Sequence, residues 1–193
     1  MKHTEDTRVK IPAILHLIRL GYSYLPLKNA ILDVSTNIFT DIFSESIRRL
    51  NPKLSDGDIN RFYDEVSLCL ENEDLGKSFY NKLIDKSGVR MVDFEDFENN
   101  TFNVVTELPC KKDDDEFRPD ITLVINGIPL AFIEVKKPNN RDGIIAEHRR
   151  MFTRNQNKKF RKFMNITQLM VFSNNMEYED GSPLPIEGAT ILM

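Results

Sequence analysis

Two cysteines, three histidines and the lack of any long apolar run narrow what this 193-residue chain can be. Cys69 and Cys110 are too few for a disulfide framework. His3, His16 and His148 stand far apart and show no zinc-ligand spacing, so a structural zinc site is not expected. Apolar runs are broken within a few residues by Asn, Glu or Lys, well short of the roughly 18 residues that span a bilayer. The opening MKHTEDTRVK has no apolar stretch of the secretory kind. No membrane partner is expected, and a reducing cytoplasm is the expected compartment. An excess of positive charge is also missing, since 26 Lys plus Arg face 30 Asp plus Glu for a net charge of -4. A histone-like protein is thereby excluded, and any contact with nucleic acid has to be local. With 8 Gly, 9 Pro, 40% hydrophobic and 29% charged residues, the chain is neither collagenous nor disordered.

What is present reads first as helix. At about 150 residues per domain, the length predicts one compact unit with a helical extension. Ile11, Ile14, Leu15, Ile18 and Leu20 recur at helical spacing and are closed by Gly21. Ile38, Ile42, Phe43, Ile47 and Leu50 repeat the pattern, with caps expected at Ser35 or Thr36 and an end before Pro52. Ser55 with Asp58 forms an acidic capping box for a third helix through Phe62, Val66, Cys69 and Leu70. Asp74 is the expected cap of a fourth, which Gly88 would end. Gly76-Lys77-Ser78 imitates the end of a phosphate-binding loop, but Glu71 stands where its first glycine belongs and no strand precedes it.

After Gly88 the period changes. Val104, Val105, Ile121 to Ile125 and Ile128 to Val135 crowd into short β-rich runs around Asn126-Gly127. Residues 143–162 are amphipathic and basic, and 166–172 return to a strand. The expected fold is α+β, or α/β if the last strand is parallel. Residues 1–88 form its helical part and residues 89–193 its core. The apolar end Thr190 to Met193 has no cap and leads us to expect a piece of a longer protein. Charge is uneven: residues 93–117 carry nine acids against two lysines, and residues 141–162 carry eight bases against two acids.

Asp120, Glu134 and Lys136 lie inside otherwise apolar sequence, where an uncompensated charge is costly. The spacing of Glu134 and Lys136 places both on one sheet face. Phosphodiester hydrolysis needs hard oxygen ligands for a divalent ion and a nearby cation. Asp120, Glu134 and the Val135 carbonyl are the candidate ligands, and Lys136 is the candidate cation. Register tests this idea. A two-residue loop at Asn126-Gly127 in a regular hairpin puts Asp120 on the face opposite Glu134. A three-residue loop, or an equivalent bulge, returns it to the same face. The odd-length loop or bulge is therefore predicted.

Pro119-Asp120 followed by Glu134-Val135-Lys136 resembles the PD-(D/E)XK nuclease motif. Its setting is similar to the N-terminal region of the R (restriction) subunit of type I restriction-modification enzymes. Supporting pieces are Leu20-Gly21-Tyr22, Arg48-Arg49-Leu50-Asn51-Pro52, Asn81 before Gly88-Val89, Val124 to Leu130, Lys137-Pro138, and Gln168 to Asn174. The resemblance implies an α/β/α restriction-endonuclease-like fold, with a mixed central sheet and a basic helix after the catalytic strand. It implies a Mg²⁺-dependent DNA endonuclease in which Asp120 and Glu134 bind metal and Lys136 is catalytic. Double-stranded DNA and the methylation and specificity subunits would be the partners. ATP is expected only for a following translocase motor that this chain lacks. Many members carry Gln-x-x-x-Tyr on the helix after the catalytic strand. Here His148 to Phe152 stands at that place without matching, and Glu147, His148, Arg150 and Arg154 are the candidate substitutes. Arg149, Arg150, Arg154, Lys158 and Lys159 are the candidate DNA contacts. Glu45, Glu65 and Glu71 are candidates for a further metal ligand. The alternative reading is a non-catalytic DNA-docking or subunit-assembly module with a decayed site.

Overall fold

A computed structural model of the chain describes residues 6–137, 141–173 and 189–192. Their helices are α1 (Ile11–Arg19), α2 (Thr40–Leu50), α3 (Asp56–Cys69), α4 (Lys77–Ile84), α5 (Arg141–Gln156) and α6 (Arg161–Ile166). The strands are β1 (Ser23–Tyr24), β2 (Leu32–Asp33), β3 (Ile38–Phe39), β4 (Phe102–Thr106) and β5 (Cys110–Lys112). After them come β6 (Asp115–Phe117), β7 (Ile121–Ile125), β8 (Ile128–Val135), β9 (Leu169–Ser173) and β10 (Ala189–Leu192).

A mixed sheet runs in the order β1-β4-β7-β8-β9-β10, in which β1 with β4 and β8 with β9 are parallel and the other neighbours antiparallel. The parallel pair needs the long crossover that α5 and α6 supply. Helix α1 covers one face, where Val9 and Leu17 meet Val104, Ile121 and Val135. The other face carries Phe132 and Phe172 under Met151 of α5 and Phe163 of α6. This is the mixed, helix-flanked architecture of an α/β nuclease-like fold. Residues from both sides of position 88 share it, since β1 extends the sheet beside β4.

Helices α2, α3 and α4 pack at the turn end of the β7–β8 hairpin through Phe43, Ile47, Phe62 and Phe79 around Ile128 and Ile166. The capping box opens α3 as expected, with Ser55 Oγ accepting from the Asp58 amide and the Asp58 carboxylate accepting from the Ser55 amide. The N-cap of α4 is Gly76 and not Asp74, which stands two positions earlier with its carboxylate accepting from the amides of Gly76 and Ser78 at 3.1 and 2.8 Å.

Several boundaries differ from expectation, and α4 ends at Ile84 rather than running on to Gly88. Ile38 and Phe39 do not begin a helix; they pair with β2, and α2 starts at Thr40 without a side-chain cap. Both side chains are fully buried, and extended backbone presents them to opposite layers. The Thr36 hydroxyl is spent on Asp33 and Tyr63 instead. Ile166 likewise ends α6 and lies buried in the helical cluster, so β9 begins only at Leu169.

The hairpin loop has two residues, not three. Asn126 and Gly127 have φ of 52° and 80°, both left-handed, as a type I′ turn requires. Pairing runs Ile125 with Ile128 and Val124 with Pro129, then jumps to Leu123 with Ala131. Leu130 is therefore the extra residue of a bulge, the equivalent device that the sequence required. Its carbonyl accepts from the Gln168 amide at 2.8 Å. A Cβ on Gly127 would lie 2.6 Å from the Phe39 carbonyl oxygen and the Phe43 nitrogen, so the turn is seated directly against the start of α2.

Candidate active site

Beyond the bulge, Thr122 pairs with Phe132 and Ile121 with Ile133. One further step sets Asp120 opposite Glu134, where β8 ends. Asp120 Oδ2 accepts from the Val135 amide at 2.9 Å, which ties it to β8. The parallel partner fixes the other edge, with Glu134 beside Phe172 and the Lys136 amide donating to the Ser173 carbonyl at 2.8 Å.

Glu134 is 5% exposed. Burial, then the neighbouring carboxylates of Asp120 and Glu147, push its pKa up to about 8, while Lys136 acts in the opposite direction. Lys136 Nζ lies 3.4 Å from Glu147 Oε2 and donates to the Val135 carbonyl at 3.1 Å. The structure thus brings Asp120, Glu134, Val135 and Lys136 into one place.

Helix α5 contributes Glu147, a buried carboxylate that also receives Arg150 at 2.8 Å and Arg154 at 3.6 Å. Of the four candidate substitutes for the Gln-x-x-x-Tyr pair, Glu147 is the one against Lys136. His148 instead stands edge-on to the Phe172 ring at 5.8 Å, and Phe152 is exposed. Arg154 lies over the Phe117 ring at 4.7 Å, and Arg149 is exposed. Pro138 and Asn174, at the ends of two of the resembling segments, lie outside the described residues.

Lys158 and Lys159 sit past the end of α5. Together with Lys111, Lys112, Arg161 and Lys162 they line a cavity of about 310 Å³ between β5 and the α5–α6 connection. Lys158 pairs with Glu73 at 3.4 Å and Lys159 with Asp115 at 2.7 Å, and neither acid lines the cavity. Exposed pairs of this kind are weak and exchange readily for other anions. Lys111 and Lys112 were not foreseen, because in sequence they are the two bases inside an acidic stretch.

Glu45, Glu65 and Glu71 do not join the carboxylate pair. Glu65 pairs with Lys82 at 3.1 Å and Glu71 with Lys162 at 2.9 Å, while Glu45 is exposed on α2 at the hairpin's turn end. A basic residue arrives in their stead. Lys10 Nζ is 3.6 Å from Asp120 Oδ1 and pairs with Glu107. It lies 110 positions upstream of Asp120, too far for any local pattern to announce it.

The model for the N terminus of type I restriction enzyme R proteins matches residues 2–182. The chain belongs to this family. Within it, the chain is 29% identical over 207 aligned residues to the MjaIXP type I restriction enzyme endonuclease subunit of Methanocaldococcus jannaschii, covering 94% of this chain and 20% of that protein. It is 27% identical over 169 residues to the HindI endonuclease subunit of Haemophilus influenzae, covering 77% of this chain and 15% of that protein. The chain therefore spans a fifth or less of the length of these curated relatives. As an R protein N-terminal domain it has, among the described residues, no helix long and apolar enough to cross a membrane.

Among the described residues of this R protein domain, no three His, Cys, Asp or Glu side chains gather around one point. The Asp120 and Glu134 carboxylates do neighbour each other, and the Val135 carbonyl follows Glu134 on β8 and accepts from Lys136. These are hard oxygen donors of the kind Mg²⁺ takes alongside retained water. Glu134 is buried and Asp120 half-buried, and a divalent ion would relieve the repulsion between them. The residues present fit the metal.

Proposed function

We propose that this R protein N-terminal domain is a Mg²⁺-dependent nuclease that hydrolyses phosphodiester bonds of double-stranded DNA, in the cytoplasm, within a type I restriction complex. The observation that supports it most is the bulge at Leu130, which turns Asp120 to the face of Glu134 and Lys136 at a buried strand end. Asp120, Glu134 and the Val135 carbonyl would hold the metal. When bound, Mg²⁺ supplies a Lewis acid and a water of lowered pKa.

The chain's own residues do the rest. Lys136, steadied by Glu147 and the Val135 carbonyl, offers its ammonium to the attacking water and to the charge developing on the phosphate. Glu147 is a positioning residue that keeps this ammonium beside the carboxylates. Arg149, Arg150 and the cations around the β5 cavity would hold the DNA backbone through phosphate contacts that carry no sequence information. Target recognition then falls to the specificity subunit and ATP use to the motor.

The test is DNA cleavage by the full-length R subunit assembled with its partner subunits, comparing Lys136→Ala with wild type. Cleavage is expected to fall at least about a hundredfold, as when a transition-state cation or donor is removed. Undiminished cleavage would exclude the proposed role of the lysine. The alternative, a non-catalytic docking module, draws on the absence, among the described residues, of three His, Cys, Asp or Glu side chains grouped so as to hold a metal ion. It predicts complexes indifferent to replacement of Asp120 and Glu134.

A further inference from the structure

Lys10 closes the short helical turn Asp6–Lys10 that leads into α1. Its neighbour Val9 is buried against Val104, Ile121 and Val135, which anchors the turn on the sheet face that α1 covers. The Lys10 side chain is only 11% exposed, and its ammonium has two carboxylates within reach. Asp120, 3.6 Å away, is 19% exposed; Glu107, the closer, is 48% exposed. Glu107 follows β4 with a left-handed φ of 52°, and its amide donates to the Asp120 carbonyl at 3.4 Å. That backbone link keeps Glu107 beside Asp120. One buried cation is thus shared between a candidate metal ligand and an acid the proposed reaction does not use.

We infer that Lys10 is a resident counter-cation that competes with a divalent metal for Asp120, and that Glu107 is the seat that draws its charge aside. The inference rests on the metal-binding reading above. Like charges repel in inverse proportion to their separation, so an ammonium near Asp120 weakens the site's hold on a second cation. Glu107 lessens that effect by holding the ammonium on its own side. Lys10 therefore sets how much metal the site needs, and Glu107 sets how strongly Lys10 opposes it.

The two residues have opposite signatures, which a merely structural ion pair would not. Mn²⁺ titration of the whole chain without DNA, read by calorimetry and by the free-ion electron paramagnetic resonance signal, measures affinity directly. Lys10→Met is expected to bind Mn²⁺ about tenfold more tightly than wild type, and Glu107→Gln about tenfold more weakly. The double variant should match Lys10→Met, because Glu107 acts through Lys10. Binding by Lys10→Met with none by wild type supports the inference in its strongest form. Equal or weaker binding by Lys10→Met, beside wild-type binding that Asp120→Asn abolishes, overturns the inference and leaves the nuclease reading intact. No Mn²⁺ binding by wild type or Lys10→Met overturns both. Should Lys10→Met fail to fold, Glu107→Gln decides: unchanged or tighter binding overturns the inference.

Discussion

Replacing Glu134 with glutamine should make the metal-free protein more stable, and the gain should grow with pH. Glu134 is held in the fold with its pKa raised from 4.5 to about 8. Below pH 4.5 it is protonated in both folded and unfolded chains and exacts no penalty. Between pH 4.5 and about 8 the unfolded chain ionises first, so stability falls as pH rises. Above about 8 the loss is complete. At about 1.4 kcal/mol per pH unit the full penalty approaches about 5 kcal/mol. The substituted glutamine cannot ionise, yet its amide can still donate to Asp120 as the protonated acid does. Urea unfolding in EDTA, followed by circular dichroism from pH 4.5 to 9, should show curves that meet at the acid end. At pH 9 Glu134→Gln should be more stable by about 2–5 kcal/mol. Saturating Mn²⁺, at about a hundred times its dissociation constant, should return about 2.7 kcal/mol to wild type and much less to the variant. Parallel curves in EDTA, or a variant less stable at every pH, would refute the claim that burial and the neighbouring carboxylates oppose ionisation of Glu134.

Gly127→Ala should cost about 3 kcal/mol in urea unfolding, combining a left-handed alanine with a methyl driven into the α2 backbone. An unchanged midpoint would mean the turn is not wedged there. Glu147→Ala should destabilise by about 3 kcal/mol, because Lys136, Arg150 and Arg154 lose a shared buried counter-ion. Glu147→Gln should recover part of that, and equal stability of all three proteins would argue against the cluster. Replacing Lys111 and Lys112 together with alanine should weaken duplex binding in EDTA and lower the log–log salt slope by about 2, read by fluorescence anisotropy. An unchanged slope would remove β5 from the DNA-facing surface.

Much of this could be read from the residues because the relevant forces are local. The Ser55 and Asp58 pair sits one turn apart and caps its own helix; the apolar β-rich run from Ile128 to Val135 marks a buried strand; Glu134 and Lys136 share a face by parity alone. The residues and the family resemblance together supplied the proposed roles of Asp120, Glu134 and Lys136, and the resemblance the expectation of a mixed sheet. What eluded the sequence depends on distant partners. Asn126-Gly127 is a strong two-residue turn signal, yet by itself it points Asp120 away. The compensating bulge at Leu130 is held by Gln168, nearly forty positions on, whose amide takes the Leu130 carbonyl. Ile38 and Phe39 carry helical spacing but are claimed by two different layers, and extended backbone satisfies both. Lys10 meets Glu107 and Asp120 only through the tertiary fold, about a hundred positions away in sequence.

The extra residue at Leu130 also limits how this chain can drift in length. Along a strand, side chains alternate sides, so losing or gaining a single codon between Gly127 and Ala131 would carry Glu134 and Lys136 to the wrong side of the sheet, and Phe132 and Val135 to each other's layers, while leaving the run apolar. Such a protein would still look like its kin in an alignment yet have its acids facing opposite layers. Relatives whose hairpins differ in length should therefore differ by even counts, or carry a second irregularity that restores the phase.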